Sequence, residues 1–516
     1  MNYLAYSGND IVRVALPDNS EIHYAPPALE GIPLAQYGEH VRRAVEQPLE
    51  SPPLRELVDA NSRVLIAFDD NCQPFPPSAK PDFRQCALEA LLPLLDQYGV
   101  ARENIHLICA VALHRKMKPA ELEHMVGPAV MREFYPERLT NFDAEDRDNL
   151  VTLGETPHGE PVEISRQAAE ADLIIYLDSV QIPLNGGHKA VGVGLASYRT
   201  IASHHSPHAT KDVPHVMQPE GSRMHESINR IGKIVDEHCK VFMLCFAMNG
   251  ATYPAHLAYL GKPPEACNLA EKVLRACTPT SMSLLPAGMR RRVLRGVPGA
   301  YRPTEINAGT VEAVHRRTIA AVEKQVRTPV PRQYDTLVYG LPDLSPYAVG
   351  ASVNPVLVVS DVLGYVFNWF YNKPLVRKGG SVIILNPVEE VFHPEYHVAY
   401  KRFYEEALAE TTDPFELHER FQKPFAEDPA LIDAYRNRWA HHGFHPFSVW
   451  YWATYPLRYL GQVILVGPKN DRSARRLGVR WAPSLDAALE MARQGGRDDV
   501  TAVTVPPLFY VDVQEG

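Results

Sequence analysis

Four short apolar runs constrain this chain more than anything else in it. Residues 63–68, 105–113, 171–177 and 240–247 each have the length of a buried strand, and three of them run directly into polar residues. Those residues are Asp69-Asp70, His114 and Asp178-Ser179. Helical stretches separate the runs; the first starts at about Pro81, and Pro93 should kink or restart it. Strands alternating with helices imply a largely parallel sheet, and ligands bind such sheets at the carboxyl ends of the strands.

A second alternation begins further on. Residues 278–332, with Met289-Arg290-Arg291-Arg292 and the polar stretch 312–326, read as a helical connector. Strands are expected at 335–340, 379–385, 461–467 and 500–505, with an apolar helical stretch at 356–369. Residues 388–456 are rich in aromatics and histidines, among them Trp439, His441, His442, His445, Trp450 and Trp452. They read as a helical insertion whose default role is packing. The expected fold class is therefore α/β. Two α/β domains with largely parallel sheets, 1–277 and 333–516, are joined by the helical connector, with the active-site cleft between them.

Composition narrows the function. A chain of 516 residues exceeds one ordinary core, and 45% hydrophobic with 22% charged residues is a soluble globular balance. A formal charge of -9 with no basic run argues against nucleic acid as a partner. The first residues carry neither a positive segment nor a long apolar stretch, so secretion and a membrane span are not expected. Seven widely spaced cysteines without a C-x-x-C pair suggest reduced thiols in the cytoplasm. Any metal should then rely on some of the 21 histidines.

Several motifs carry chemistry, each with a plainer alternative. Asp70, in the turn Asp69-Asp70-Asn71-Cys72-Gln73-Pro74-Phe75-Pro76, can hold ribose hydroxyls or orient a histidine, or simply cap the next helix. His114 at a sheet edge suits general acid/base work, or is a satisfied structural residue. Gly186-Gly187-His188-Lys189 is not a Walker A loop, because Ala190 stands where Ser or Thr would ligate magnesium. Its Gly-Gly turn can still cradle a phosphate, and Lys189 is a flexible nucleophile able to carry a covalently attached group. His205, sixteen positions later, can return as a neutral nitrogen donor to a metal. His204, His205, His208 and His215 crowd one loop without an H-E-x-x-H, which leaves solvated loop histidines or a zinc hydrolase as readings.

In order and spacing these pieces resemble the nickel-pincer lactate racemase family. The resemblance runs from Tyr6-Ser7-Gly8 and Val14-Ala15-Leu16-Pro17-Asp18 through the turns at 69–76 and 114–117. It continues to Gly186-Gly187-x-Lys189, Gly194, Thr200-Ile201, His205 and Met224-His225-Glu226. It covers most of residues 1–275 and is looser from 333 on. It implies a nickel cofactor, the pyridinium-3,5-bisthiocarboxylic acid mononucleotide, tethered to Lys189, with His205 as a nickel ligand. Asp70, Cys72, Gly186, Gly187 and His188 are the implied cofactor-side residues, and His114 matches the first acid/base histidine. In such enzymes a histidine removes the hydroxyl proton of a 2-hydroxy acid while hydride passes to the cofactor.

The departures are equally informative. Ser179 stands where the family has its second acid/base histidine, and Cys72-Gln73 where it has Thr-Arg. Losing that arginine removes a bidentate carboxylate partner. Asn354 is the stand-in for a substrate-binding glutamine, and no lysine follows it at the family's place. His204, His208 or Asp178 could serve the second face instead. The expected activity is racemisation or epimerisation of a 2-hydroxy acid other than plain lactate, with cofactor-synthesis proteins as further partners. The alternatives are a cofactor-binding relative without turnover and a zinc-dependent hydrolase or lyase.

Overall fold

The computed structural model describes residues 1–72, 76–493 and 498–514. Strand β1 (Glu21–Tyr24) comes first in the chain among the strands of the two large sheets. Six strands follow as the N-terminal sheet: β2 (Val64–Asp69), β3 (Ile105–Ala110), β4 (Leu139–Asn141), β5 (Leu173–Val180), β6 (Val241–Met248) and β7 (Pro303–Gly309). Five more, β8 (Tyr334–Gly340), β9 (Val376–Leu385), β10 (Gln462–Val466), β11 (Arg480–Ala482) and β12 (Val500–Thr504), build the C-terminal sheet together with β1.

The N-terminal sheet has the order β7-β6-β5-β2-β3-β4 and is parallel except for the antiparallel pair β6–β7. The C-terminal sheet has the order β11-β10-β9-β8-β12-β1 and is parallel throughout. The chain is thus a mixed α/β protein with largely parallel sheets. Fully buried strands explain the apolar runs: in β2, Val64 to Phe68 are all buried, each large side chain contributing about 1.5–3 kcal/mol.

From β2 the chain adds β3 and β4 on one side, then returns to place β5 on the other. That reversal opens a crevice at the carboxyl ends of β2 and β5, the usual ligand position in open α/β sheets. Phe68 lies opposite Leu177, so Asp69 and Asp178 are the next residues along at this crevice.

Two stretches differ from expectation. Residues 278–332 are not helical throughout: β7 extends the N-terminal sheet, and the helix Val311–Val326 packs its buried face on β6. At the other end, β1 pairs with β12, and the hairpin Asn2–Ser7/Asp10–Ala15 shares a core with Val338, Ile383 and Ile464. The first two dozen residues therefore pack with the C-terminal sheet. The helix Phe83–Gln97 also runs through Pro93 without ending. Between β9 and β10 the insertion is helical, from Val398–Arg402 to Thr454–Tyr459.

Candidate active site

The crevice widens into a cavity of about 1080 Å³, mouth included, walled by both domains. Asp69, Asp70, Cys72, His114, Asp178, Ser179, Gly186, Lys189 and His205 line it from the N-terminal side. Tyr347, Tyr365, His445, Ser448 and Trp452 close it from the other.

His114 follows β3, which stops at Ala110, earlier than its apolar run suggests. Ala112 takes a φ of 49°, a left-handed conformation uncommon for a residue with a Cβ, and the His114 amide closes the turn on the Val111 carbonyl at 2.8 Å. The turn aims the ring at Asp70, with Nδ1 2.8 Å from Oδ2. Asp70 Oδ1 accepts the Cys72 amide at 2.8 Å, so this carboxylate orients the histidine and holds its own loop together. Asp70, Cys72 and His114 bring donor atoms within 4.8 Å of one another, although burial pushes the Cys72 thiol well above its ordinary range.

Lys189 opens the helix Lys189–Gly194, and its ammonium reaches the Leu184 carbonyl at 3.2 Å. Burial lowers its pKa to about 8, against the opposing pull of Asp178 and Asp69. Near neutral pH about a tenth of such an amine is an uncharged nucleophile. Asp69 and Asp178 are hydrogen-bonded to each other, and Tyr176 donates to Asp69 Oδ1 at 2.9 Å. Desolvation and the neighbouring Asp178 charge hold Asp69 well above the ordinary carboxylate range, and desolvation raises Asp178 as well, so the two carboxyls share a proton beside the lysine.

Gly186 and Gly187 take φ of 90° and 66°. A Cβ on Gly186 would come 3.0 Å from His315 and 3.1 Å from the Asp178 carboxylate, so only glycine lets this turn lie so close. Gly187 is pressed against His315 rather than the cavity, and His315 is a neighbour that the sequence gave no reason to expect.

His205 is buried, and its Nδ1 has no hydrogen-bond partner among the described residues. Burial, with His204 and Lys189 nearby, pushes its pKa well below the ordinary value, which keeps the ring a neutral nitrogen donor.

Some expected site residues are elsewhere. His188 turns away from the cavity and packs over Gly232, with Nε2 2.9 Å from Asp236 and Nδ1 3.2 Å from Asn229. It fastens two helices rather than a cofactor. Asn354 is buried and caps the helix Pro355–Val359 through the Leu357 amide, so it does not stand in for a substrate-binding glutamine. Gln73 lies outside the described residues. The loop histidines are not a solvated set either. His204 is fully buried with both nitrogens unpartnered, His215 reaches the Phe370 carbonyl and His225 that of Val216, while His208 packs on Phe415 and His418. Among the described residues they form no cluster able to hold zinc.

The insertion supplies what packing alone does not require. Its Tyr435 hydroxyl donates to the Ala112 carbonyl at 2.9 Å, and the His442 amide donates to that of Leu113 at 3.1 Å. Those bonds grip the turn that carries His114 and bring His445 beside it, ring centroids 5.1 Å apart. The only advance signal was the density of histidines and tryptophans at 439–452.

Comparison with known proteins agrees with this geometry. Residues 7–215 match the lactate racemase N-terminal domain family. The N-terminal part of the chain is therefore similar to lactate racemases in sequence. A lactate racemase from Lactiplantibacillus plantarum is 26% identical over 196 residues, 37% of this chain and 43% of that protein. One from Thermoanaerobacterium thermosaccharolyticum is 24% identical over 169 residues, 32% of this chain and 37% of that protein. The matched part thus spans less than half the length of these curated relatives. The lactate racemase apoprotein from T. thermosaccharolyticum shares the fold over 99% of this chain and 100% of its own, with a TM-score of 0.64 at 16% identity. A Thermotoga maritima protein solved by a structural genomics consortium follows with 0.52 at 14%, covering 95% of this chain and all of its own. The likeness therefore reaches past the lactate racemase N-terminal domain into the second domain, where it is one of fold.

Proposed function

We propose that this protein is a nickel-pincer-dependent racemase or epimerase of a hydroxylated acid, with Lys189 as tether, His205 as metal ligand and His114 as proton acceptor. One observation carries the reading: Lys189, His205 and His114 line a single cavity. The residues fit such a group. His205 offers a neutral imidazole, a donor suited to nickel, and Lys189 has an amine of lowered basicity at a turn only glycines permit. When bound, the group would supply the hydride acceptor and donor.

The chain's own residues do the rest. Asp70 accepts the Nδ1 proton of His114, which leaves Nε2 with a lone pair for a substrate hydroxyl. The Asp69–Asp178 pair lies beside Lys189, and its charge opposes the lowering of the amine pKa by burial. Tyr365 and Trp452 form part of the far wall.

The substrate is larger or less acidic than lactate. Lys189 is the one cationic side chain on the cavity wall among the described residues, and a tethered lysine no longer offers an ammonium to a carboxylate. Arg115 points away, held by Glu121 at 2.8 and 2.5 Å. Ser179 on this wall favours a second reading, a relative that binds the cofactor without racemase turnover.

Intact mass spectrometry after incubation with cofactor-synthesis proteins and nickel tests the proposal. An adduct of several hundred daltons, absent in Lys189→Ala, is expected; bare protein in both sinks it. Incubating the loaded protein with 2-hydroxy acids in deuterated water separates turnover from binding.

A further inference from the structure

We propose that His445 touches the reacting oxygen of the substrate as a hydrogen-bond donor through Nε2–H, while His114 alone exchanges the proton. This rests on the assignment of the cavity as the reaction site, and it names how the second domain takes part there.

The two imidazoles are held by opposite kinds of partner. His114 Nδ1 faces the Asp70 carboxylate at 2.8 Å, and a carboxylate only accepts. The ring proton therefore sits on Nδ1, and Nε2 is a base. His445 Nδ1 faces the Tyr400 hydroxyl, also at 2.8 Å. Tyr400 is fully buried, and burial raises its phenol far above its ordinary range, so the hydroxyl keeps its proton and must place it. His445 Nδ1 is the acceptor in front of it. The proton of a neutral His445 ring then belongs on Nε2. Burial, with His441 and His114 alongside, pushes this ring far below its usual pKa, so neutral is the state that persists.

Placement makes the two rings work on one atom. Their centroids are 5.1 Å apart with planes at 78°, and both line the cavity. Both rings therefore border the same space, and the proposal places one substrate oxygen between them. His441 and Tyr347 pack on His445 at centroid distances of 4.5 and 4.7 Å and leave it no room to turn. As a carbinol becomes a carbonyl and returns, its oxygen gains and loses negative charge. A fixed neutral donor stabilises that charge without giving up its proton. No bond is made or broken at His445. Tyr400 is a positioning residue that selects the tautomer.

This arrangement also accounts for Ser179. A single base serves both substrate configurations, and the donor holds the oxygen in place for either.

Nitrogen NMR of the full chain, labelled with 15N-histidine, tests the tautomer directly. His445→Gln identifies the signals by their loss. The expected spectrum shows His445 protonated at Nε2 and bare at Nδ1 near neutral pH, with a mixture of tautomers in Tyr400→Phe. A proton on Nδ1, or a doubly protonated ring, overturns the proposal. Kinetics of the loaded protein, with whichever hydroxy acid it turns over, give the second readout. His445→Gln keeps an N–H donor and should stay within about tenfold of the parent kcat. His445→Phe should fall roughly 10²- to 10³-fold with KM nearly unchanged. Full activity in His445→Phe, or a loss in His445→Gln as large as that in His445→Phe, overturns it. The NMR needs neither nickel nor turnover, so a wrong tautomer sinks this proposal alone, whereas a chain that never gains the adduct sinks the function reading.

Discussion

The two walls of the cavity are built on different principles. On the N-terminal wall, charged groups stand beside two of the three assigned residues: Asp70 orients His114, and the Asp69–Asp178 pair faces Lys189. On the C-terminal wall the polar groups are neutral and held by rings. Tyr347 and Tyr365 share a hydroxyl–hydroxyl contact of 2.5 Å, Tyr400 holds His445, and Trp452 packs edge-on against Tyr365. Carboxylates set proton affinities, whereas packed rings set shape and exclude water. Under the proposed function, the first wall would carry the proton chemistry and the second would shape the space for the substrate.

Four substitutions or titrations sharpen or break that division. The largest effect belongs to the charged wall: His114→Gln should lower kcat by about 10³-fold, with KM nearly constant. Equal loss from Ser448→Ala on the other wall would erase the distinction. Trp452→Phe comes next. It should change kcat/KM between bulky and small hydroxy acids by roughly tenfold and leave the pH profile alone. A shifted profile with unchanged selectivity would place Trp452 with the proton machinery.

Lys189 gives a third test through pH. The reactive amine is the uncharged form, so reductive methylation of Lys189 should rise with pH and level off just above 8. Surface lysines should keep rising toward about 10.4. Carbon NMR of the methylated protein separates the two, and a Lys189 signal that follows the surface set contradicts the buried amine. The smallest effect compares the paired carboxyls. Asp69→Asn replaces the carboxyl with the smaller pull on Lys189 and should change stability by about 1 kcal/mol or less. Asp178→Asn removes the larger pull and should move the Lys189 midpoint further below 8. Identical midpoints in the two variants would mean that the two carboxyls act on Lys189 alike.

The same division explains what the sequence could show. Strands β2, β3, β5 and β6 were readable because both faces are buried, and their polar ends name Asp70, His114 and Asp178 directly. Lys189 and His205 followed from local spacing around glycines that the turn requires. His188 was misread because its partners, Asn229 and Asp236, lie forty or more positions away. His445 was seen but left among packing residues, since nothing local distinguishes a ring facing the cavity from one facing a helix. Its assignment depends on long-range bonds from Tyr435 and His442 to the His114 turn. Strand β7 was missed because four of its seven residues are half-buried and three of those are polar, so no continuous apolar run marks it.

Strand β1 has a mechanical consequence. The polypeptide leaves the second sheet after Tyr24, builds the first, and comes back at Tyr334. Two bodies tied by a pair of covalent crossings can open about the line joining them, like covers about a spine, but cannot swivel independently. Any widening of the mouth must therefore separate His445 from His114 along one preset arc and restore the same contact on return.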